Sequence, residues 1–120
     1  MSGLFARIFG TRRDAPAWID STELQRRLAG GPVLLLDVRE PEEYATLPGH
    51  LPGAINVPMA EVAGRSADLV ARGQPVVVVC KTDRRSARAA AELLAAGLHN
   101  VAVLRGGTDG WHAEGLALER

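Results

Sequence analysis

The sequence is almost without cysteine: Cys80 is the only one in 120 residues. A single thiol excludes an internal disulfide framework and a zinc site built from several cysteines. The three histidines are scattered along the chain and do not form a metal-ligand pattern, so we expect no metal site. Cys80 is therefore either a buried cysteine without chemistry or a reactive thiol.

The sequence also lacks an excess of charge and a long apolar run. Fourteen basic residues balance fourteen acidic ones, so nothing in the net charge indicates nucleic acid as a partner. No apolar run approaches the roughly eighteen residues of a membrane-spanning helix, so we expect no integral membrane span. We find no export signal, internal repeat or low-complexity segment, and expect one cytoplasmic domain.

The first residues differ from the rest. Pro16 separates a leader, residues 1–16, from the predicted domain, residues 17–120. Apolar residues with helical spacing occur in the leader at Leu4, Phe5, Ile8 and Phe9. The leader is therefore predicted to be either a flexible terminus or a short amphipathic helix that docks on its own domain, a partner or a membrane surface.

Short apolar runs alternate with helical patterns about five times. The strongest strand prediction is 75–80, and 32–39 and 100–107 are also typical of strands buried on both faces. The strongest helix prediction is 86–97, with Ser86 as its cap. This alternation predicts an α/β fold with a central parallel sheet of about five strands and helices on both faces. Ligands bind such folds at the carboxyl ends of the strands.

Cys80 lies at the carboxyl end of the predicted central strand, just before a helix. Lys81, Arg84 and Arg85 follow it closely, with Thr82 and Asp83 between them. A tight loop here can turn its backbone N–H groups inward, and the helix N-terminus adds partial positive charge. These features favour a thiolate and attract an anionic substrate.

Four residues separate Cys80 from Arg85, and Ser86 follows. This pattern resembles the active-site loop of rhodanese-family sulfurtransferases, whose common form is C-x-x-G-x-R-S. The related tyrosine and Cdc25-type phosphatases carry C-x5-R, a longer loop that is wide enough to hold a phosphate or arsenate. The shorter loop is better suited to a single sulfur atom on the cysteine.

The resemblance continues on both sides of the loop, from about residue 18 to residue 114. Its N-terminal signature is carried by Asp37, Arg39, Glu43, Tyr44, Gly49, His50, Gly53, Ala54, Asn56 and Pro58. Its C-terminal signature is carried by Leu104, Gly106, Gly107 and Trp111. The resemblance implies a rhodanese-like three-layer α/β/α domain.

One loop residue departs from the family pattern, because Asp83 stands where the family has glycine. We expect a left-handed backbone at this position, which aspartate tolerates better than most residues. Its carboxylate is expected either to offset part of the positive charge or to point outward and pair with Arg84 or Arg85. The substitution is expected to tune rate or substrate choice.

The resemblance also implies roles for residues outside the loop. Asp37 and Arg39 are expected to form a structural ion pair or loop anchor near the active-site side. From the residues themselves, we expect His50, between a glycine and a turn, to fix a loop, and Trp111 to pack in the core. Ser86, at the end of the loop, is expected to cap the helix that follows.

Together these features predict a sulfurtransferase. Cys80 would take a sulfane sulfur from an anionic donor such as thiosulfate, and residues 81–86 would hold the donor. The resulting persulfide would pass its sulfur to cyanide, a thiol or a protein acceptor, without a metal or organic cofactor. The alternatives are a non-enzymatic persulfide carrier or protein-binding module and, less favoured, a Cdc25-like phosphatase or arsenate reductase.

Overall fold

The computed structural model describes residues 15–120, so the predicted leader lies almost wholly outside the described residues. Strands and helices alternate along the chain. In order they are β1 (Ala17–Ile19), α1 (Ser21–Gly30), β2 (Leu34–Asp37), α2 (Pro41–Ala45), β3 (Ile55–Asn56), α3 (Met59–Arg72), β4 (Val76–Val79), α4 (Arg84–Ala95), β5 (Val101–Leu104) and α5 (Gly107–Ala113). No helix within the described residues is long and apolar enough to cross a membrane.

The strands form one sheet in the order β1-β5-β4-β2-β3, and all neighbouring pairs are parallel. The predicted parallel sheet of about five strands is confirmed. Strand β4 is central because β5 and β2 pair with its two edges. The carboxyl end of β4 therefore opens at the middle of the sheet edge where α/β proteins bind ligands.

Both faces of the sheet are covered, which explains the uninterrupted valine run. Successive side chains of β4 point to opposite faces. Val76 and Val78 pack in one buried cluster with residues of α3 and α4. Val77 and Val79 pack in a second cluster with residues of α1 and α5. The molecule thus has the predicted three layers, helices–sheet–helices, with a core on each side of the sheet.

Candidate active site

Cys80 directly follows the central strand β4. Its side chain is 2% exposed, and its Sγ lies 3.2 Å from Oγ of Ser86, to which the thiol donates. The sulfur is therefore held at the sheet edge by the packing around it. Cys80 is one of the residues that line the cleft described below.

The loop after Cys80 directs its carbonyl groups to one side. The carbonyl oxygen of Cys80 accepts from the N–H of Thr108 at 2.9 Å, and that of Lys81 accepts from the N–H of Asp109 at 3.0 Å. The N–H groups of residues 81–86 have no hydrogen-bond acceptor within residues 15–120. The loop thus has the unpaired amides that an anion-binding nest requires.

Gly107 allows the loop and α5 to approach so closely. Its φ is +58°, in the left-handed region that favours glycine. A Cβ atom at this position would collide with the carbonyl oxygens of Cys80, Lys81 and Thr82. Glycine is therefore required here for the backbone contact that shapes the loop.

Asp83 differs from the sequence-based expectations for its backbone and for its pairing with an arginine. Its φ is −134°, so the predicted left-handed backbone was wrong. Its carboxylate pairs with neither Arg84 nor Arg85; Oδ1 instead accepts from the N–H of Gly106 at 2.8 Å. The carboxylate is bound at the turn before α5, and Asp83 does not line the cleft over Cys80.

Ser86 is not the helix cap that the sequence predicted. Helix α4 begins two residues earlier, at Arg84, and Asp83 is its N-cap. The Oγ of Ser86 donates to the carbonyl oxygen of Asp83 at 3.1 Å, inside the first turn. The early helix start brings this buried hydroxyl under the sulfur of Cys80 instead of leaving it at the helix end.

An open cleft of about 610 Å³ lies over Cys80. It is lined by Met59, Cys80, Lys81, Thr82, Arg84, Arg85 and Arg88. The structure thus brings most of the predicted loop residues to one surface. Met59 and Arg88 were missed, because they lie outside the loop, at the start of α3 and one turn into α4.

Two of the cationic side chains in this cleft are held by carboxylates. Nζ of Lys81 lies 2.6 Å from Oδ2 of Asp109. The guanidinium of Arg85 donates to both carboxylate oxygens of Glu43, at 2.7 and 3.1 Å. This bidentate pair lowers the pKa of Glu43 to about 2 and raises the pKa of Arg85. The position of Arg85 is thus fixed by a residue of α2.

Glu43 was not predicted as a site residue, although it belongs to the N-terminal signature. It is 42 positions from Arg85, so no local pattern connects the two residues. The sequence did contain one indication of this role. Glu43 is part of the family signature, and it lies on the first turn of α2, the helix that follows the end of β2.

The remaining predicted residues form a support beside the cleft. Asp37 and Arg39 make a buried ion pair, with 2.9 Å between Oδ2 and Nη2, and Arg39 also donates to the carbonyl of Gly49. His50 is buried, its Nδ1 lies 2.9 Å from the carbonyl oxygen of Tyr44, and its ring stacks on Tyr44. None of these residues lines the cleft over Cys80.

Trp111 lies in the second core cluster, and its indole N–H donates to the carbonyl of Ala117 at 2.8 Å.

Among residues 15–120, no three histidine, cysteine, aspartate or glutamate side chains are grouped to hold a metal ion.

Comparison with known proteins decides the family. Residues 20–114 match the model of the rhodanese-like domain. The chain belongs to this family. The fold agrees: the human single-domain sulfurtransferase TSTD1 superposes with a TM-score of 0.70 at 26% identity, covering 83% of this chain and 97% of that structure.

Curated relatives include proteins of different size and description. A sulfurtransferase of Allochromatium vinosum is 38% identical over 101 residues, which cover 83% of this chain and 92% of that protein. An HTH-type transcriptional regulator of Mycobacterium tuberculosis is 45% identical over 76 residues, 63% of this chain. The match spans only 31% of that regulator, so this chain corresponds to less than a third of its length. The sulfurtransferase relatives support a transferase activity for this chain.

Proposed function

We propose that this protein is a thiosulfate sulfurtransferase that works through a persulfide on Cys80. One observation carries the proposal: the sulfur of Cys80 lies under a cleft that combines unpaired loop amides with arginine side chains. A reducing compartment, the cytoplasm, is proposed as its location because the thiol must stay reduced to react.

In the first half-reaction the thiolate of Cys80 attacks the outer sulfur of thiosulfate. A bond forms between Sγ and that sulfur, the bond to the sulfonate sulfur breaks, and sulfite leaves with the electron pair. The amides of residues 81–86 and the guanidiniums of Arg84 and Arg85 stabilise the negative charge during this exchange. The hydroxyl of Ser86 lies 3.2 Å from Sγ. Once Cys80 has lost its proton, this hydroxyl can donate a hydrogen bond to the thiolate.

In the second half-reaction a nucleophile attacks the terminal sulfur of the persulfide. With cyanide, the bond between the two sulfur atoms breaks, thiocyanate leaves, and Cys80 returns as thiolate. No electrons are gained or lost overall, so no redox cofactor is required. The enzyme alternates between two forms, which predicts parallel lines in double-reciprocal plots of rate against thiosulfate at several cyanide concentrations.

The direct experiment is a thiosulfate-to-cyanide assay for thiocyanate with the native protein and Cys80→Ser. We expect thiocyanate from the native protein only, with ping-pong kinetics. Cys80→Ser is a small change at a buried site, and its circular dichroism spectrum checks that it folds. Absence of turnover in the native protein, or equal turnover in the serine variant, would contradict the proposal. Hydrolysis of p-nitrophenyl phosphate would favour the phosphatase alternative.

A further inference from the structure

Two cationic side chains in the cleft over Cys80 are not held by a short ion pair. Arg84 forms no ion pair with another residue of 15–120. Nε of Arg88 lies 3.6 Å from Oε2 of Glu92, beyond an ordinary charged hydrogen bond. Glu92, Glu40 and Arg88 line an adjoining cleft of about 470 Å³. The two carboxylates offset part of the charge of Arg88, so Arg84 is the cation most available to an anionic donor.

The other two cations of the cleft, Lys81 and Arg85, are paired in different ways. Arg85 donates to both carboxylate oxygens of Glu43, and this bidentate pair fixes its planar guanidinium. Lys81 has a single contact: Nζ lies 2.6 Å from Oδ2 of Asp109, and the two side chains are 59% and 51% exposed. A lysine ammonium on its flexible stem can turn to another anion when its partner is removed. Lys81 is thus a positive charge of the cleft that Asp109 keeps occupied.

The backbones of Lys81 and Asp109 are also joined, independently of their side chains. The N–H of Asp109 donates to the carbonyl oxygen of Lys81 at 3.0 Å, next to the bond from Thr108 to Cys80. Asp109 lies in the first turn of α5, which holds its backbone in place. Replacing its carboxylate by an amide should therefore release the ammonium of Lys81 while the loop stays bound to α5.

We propose, resting on the function proposed above, that Asp109 is a positioning residue that sets which sulfur donors the cleft prefers. By pairing with Lys81 it withholds one positive charge from the donor. This weakens the binding of a doubly charged donor more than that of a singly charged one, because the Coulomb energy scales with the donor charge. Asp109 thereby favours singly charged donors, such as organic thiosulfonates, relative to the dianion thiosulfate.

Two donors that differ by one negative charge test this proposal: thiosulfate and methanethiosulfonate. Both present a terminal sulfur bonded to a second sulfur atom, and cyanide accepts the transferred sulfur in both assays. The donor preference is kcat/KM for thiosulfate divided by kcat/KM for methanethiosulfonate. A change in the reactivity of Cys80 affects both donors and largely cancels in this ratio.

Asp109→Asn is expected to raise this preference about two- to fivefold, the size of one exposed ion pair, mainly by lowering the KM for thiosulfate. Asp109→Glu keeps a carboxylate and should stay close to the native preference. Adding Lys81→Gln to Asp109→Asn should abolish the gain. Asp68→Asn is the matched control, because it removes the same charge from an exposed position of α3 outside both clefts. It should leave the preference unchanged.

A second measurement does not depend on the proposed function. Iodoacetate is an anion and iodoacetamide is neutral, and both alkylate a thiol, of which Cys80 is the only one in the chain. The ratio of their rates, followed by intact mass, should also rise about two- to fivefold in Asp109→Asn. If the native protein made no thiocyanate from thiosulfate, the proposed function would fail, while this ratio would still decide the role of Asp109.

Three results would overturn the proposal. An unchanged preference in Asp109→Asn would show that Lys81 does not reach the donor. An equal change for both donors would indicate that Asp109 is only structural. An equal gain in Asp68→Asn would assign the effect to the net charge of the protein and not to the pair with Lys81.

Discussion

At the scale of single residues, one carboxylate oxygen joins the Cys80 loop to the turn before α5. Oδ1 of Asp83 accepts from the N–H of Gly106, while the loop carbonyls of Cys80 and Lys81 accept from the first turn of α5. The negative charge of Asp83 is thus bound away from the cleft. The cleft keeps its cationic lining although the family glycine is replaced by an acid.

Asp83 variants test whether its hydrogen bond holds the loop. Asp83→Ala removes the acceptor, and we expect it to lower the free energy of unfolding by about 1–2 kcal/mol and to reduce thiocyanate production. Asp83→Asn keeps an acceptor oxygen without the charge. It should therefore retain most of the stability and most of the thiocyanate production. Urea unfolding and the thiocyanate assay measure the two effects. Equal damage from alanine and asparagine would show that the charge, and not the hydrogen bond, is what matters.

Glu43 provides a prediction that depends on pH. Its pKa in the folded protein is about 2, below the ordinary value of 4.5, because Arg85 donates two hydrogen bonds to it. The pair therefore stabilises the fold fully above pH 4.5, and this stabilisation is lost as the pH falls towards 2.

Glu43→Gln should lower the free energy of unfolding by at most about 1 kcal/mol at pH 7, because the ion pair between Glu43 and Arg85 is partly exposed. The difference from the native protein should shrink as the pH is lowered from 5 to 3. Urea unfolding at each pH provides the measurement. A difference that stays constant with pH would mean that the ion pair is not its source.

At the scale of elements, the close contact between the Cys80 loop and α5 depends on Gly107. Gly107→Ala places a Cβ against three loop carbonyl oxygens at a positive φ, so we expect the loop to shift and thiocyanate production to fall at least tenfold. Gly64→Ala is the matched control, because nothing lies within 4 Å of its added Cβ in the middle of α3. That change should keep the activity and stabilise the helix slightly. Full activity of Gly107→Ala would contradict this account of the loop.

Much of the element order could be predicted because each element has a local signal. The valine run before Cys80 and the alanine-rich segment after it specify β4 and α4 by composition. The contacts that finish the site are not local: Asp83 meets Gly106, 23 positions away, and Arg85 meets Glu43, 42 positions away. Helix α4 begins at Arg84, two residues before Ser86, and the alanine-rich composition that predicted this helix does not extend to Arg84 and Arg85.

At the scale of the whole molecule, a buried core covers each face of the sheet, and the core on one face includes Cys80. Leu36 is fully buried on β2, in the cluster that also contains Cys80. Leu36→Ala should lower the free energy of unfolding by about 2–5 kcal/mol because it leaves a cavity. Leu47→Ala is the control, because Leu47 is 72% exposed. It should change the free energy of unfolding by less than about 0.5 kcal/mol. Similar effects in both variants, measured by urea unfolding, would contradict the assigned core.

The central claim is that Cys80 carries sulfur during turnover. The most direct test is the intact mass of the native protein and of Cys80→Ser after exposure to thiosulfate and removal of the excess. Because the chain has no other cysteine, a gain of one sulfur atom is assigned without ambiguity. The account predicts this gain in the native protein, its absence in the serine variant, and its loss on addition of cyanide. An unmodified native protein would contradict the thiosulfate mechanism.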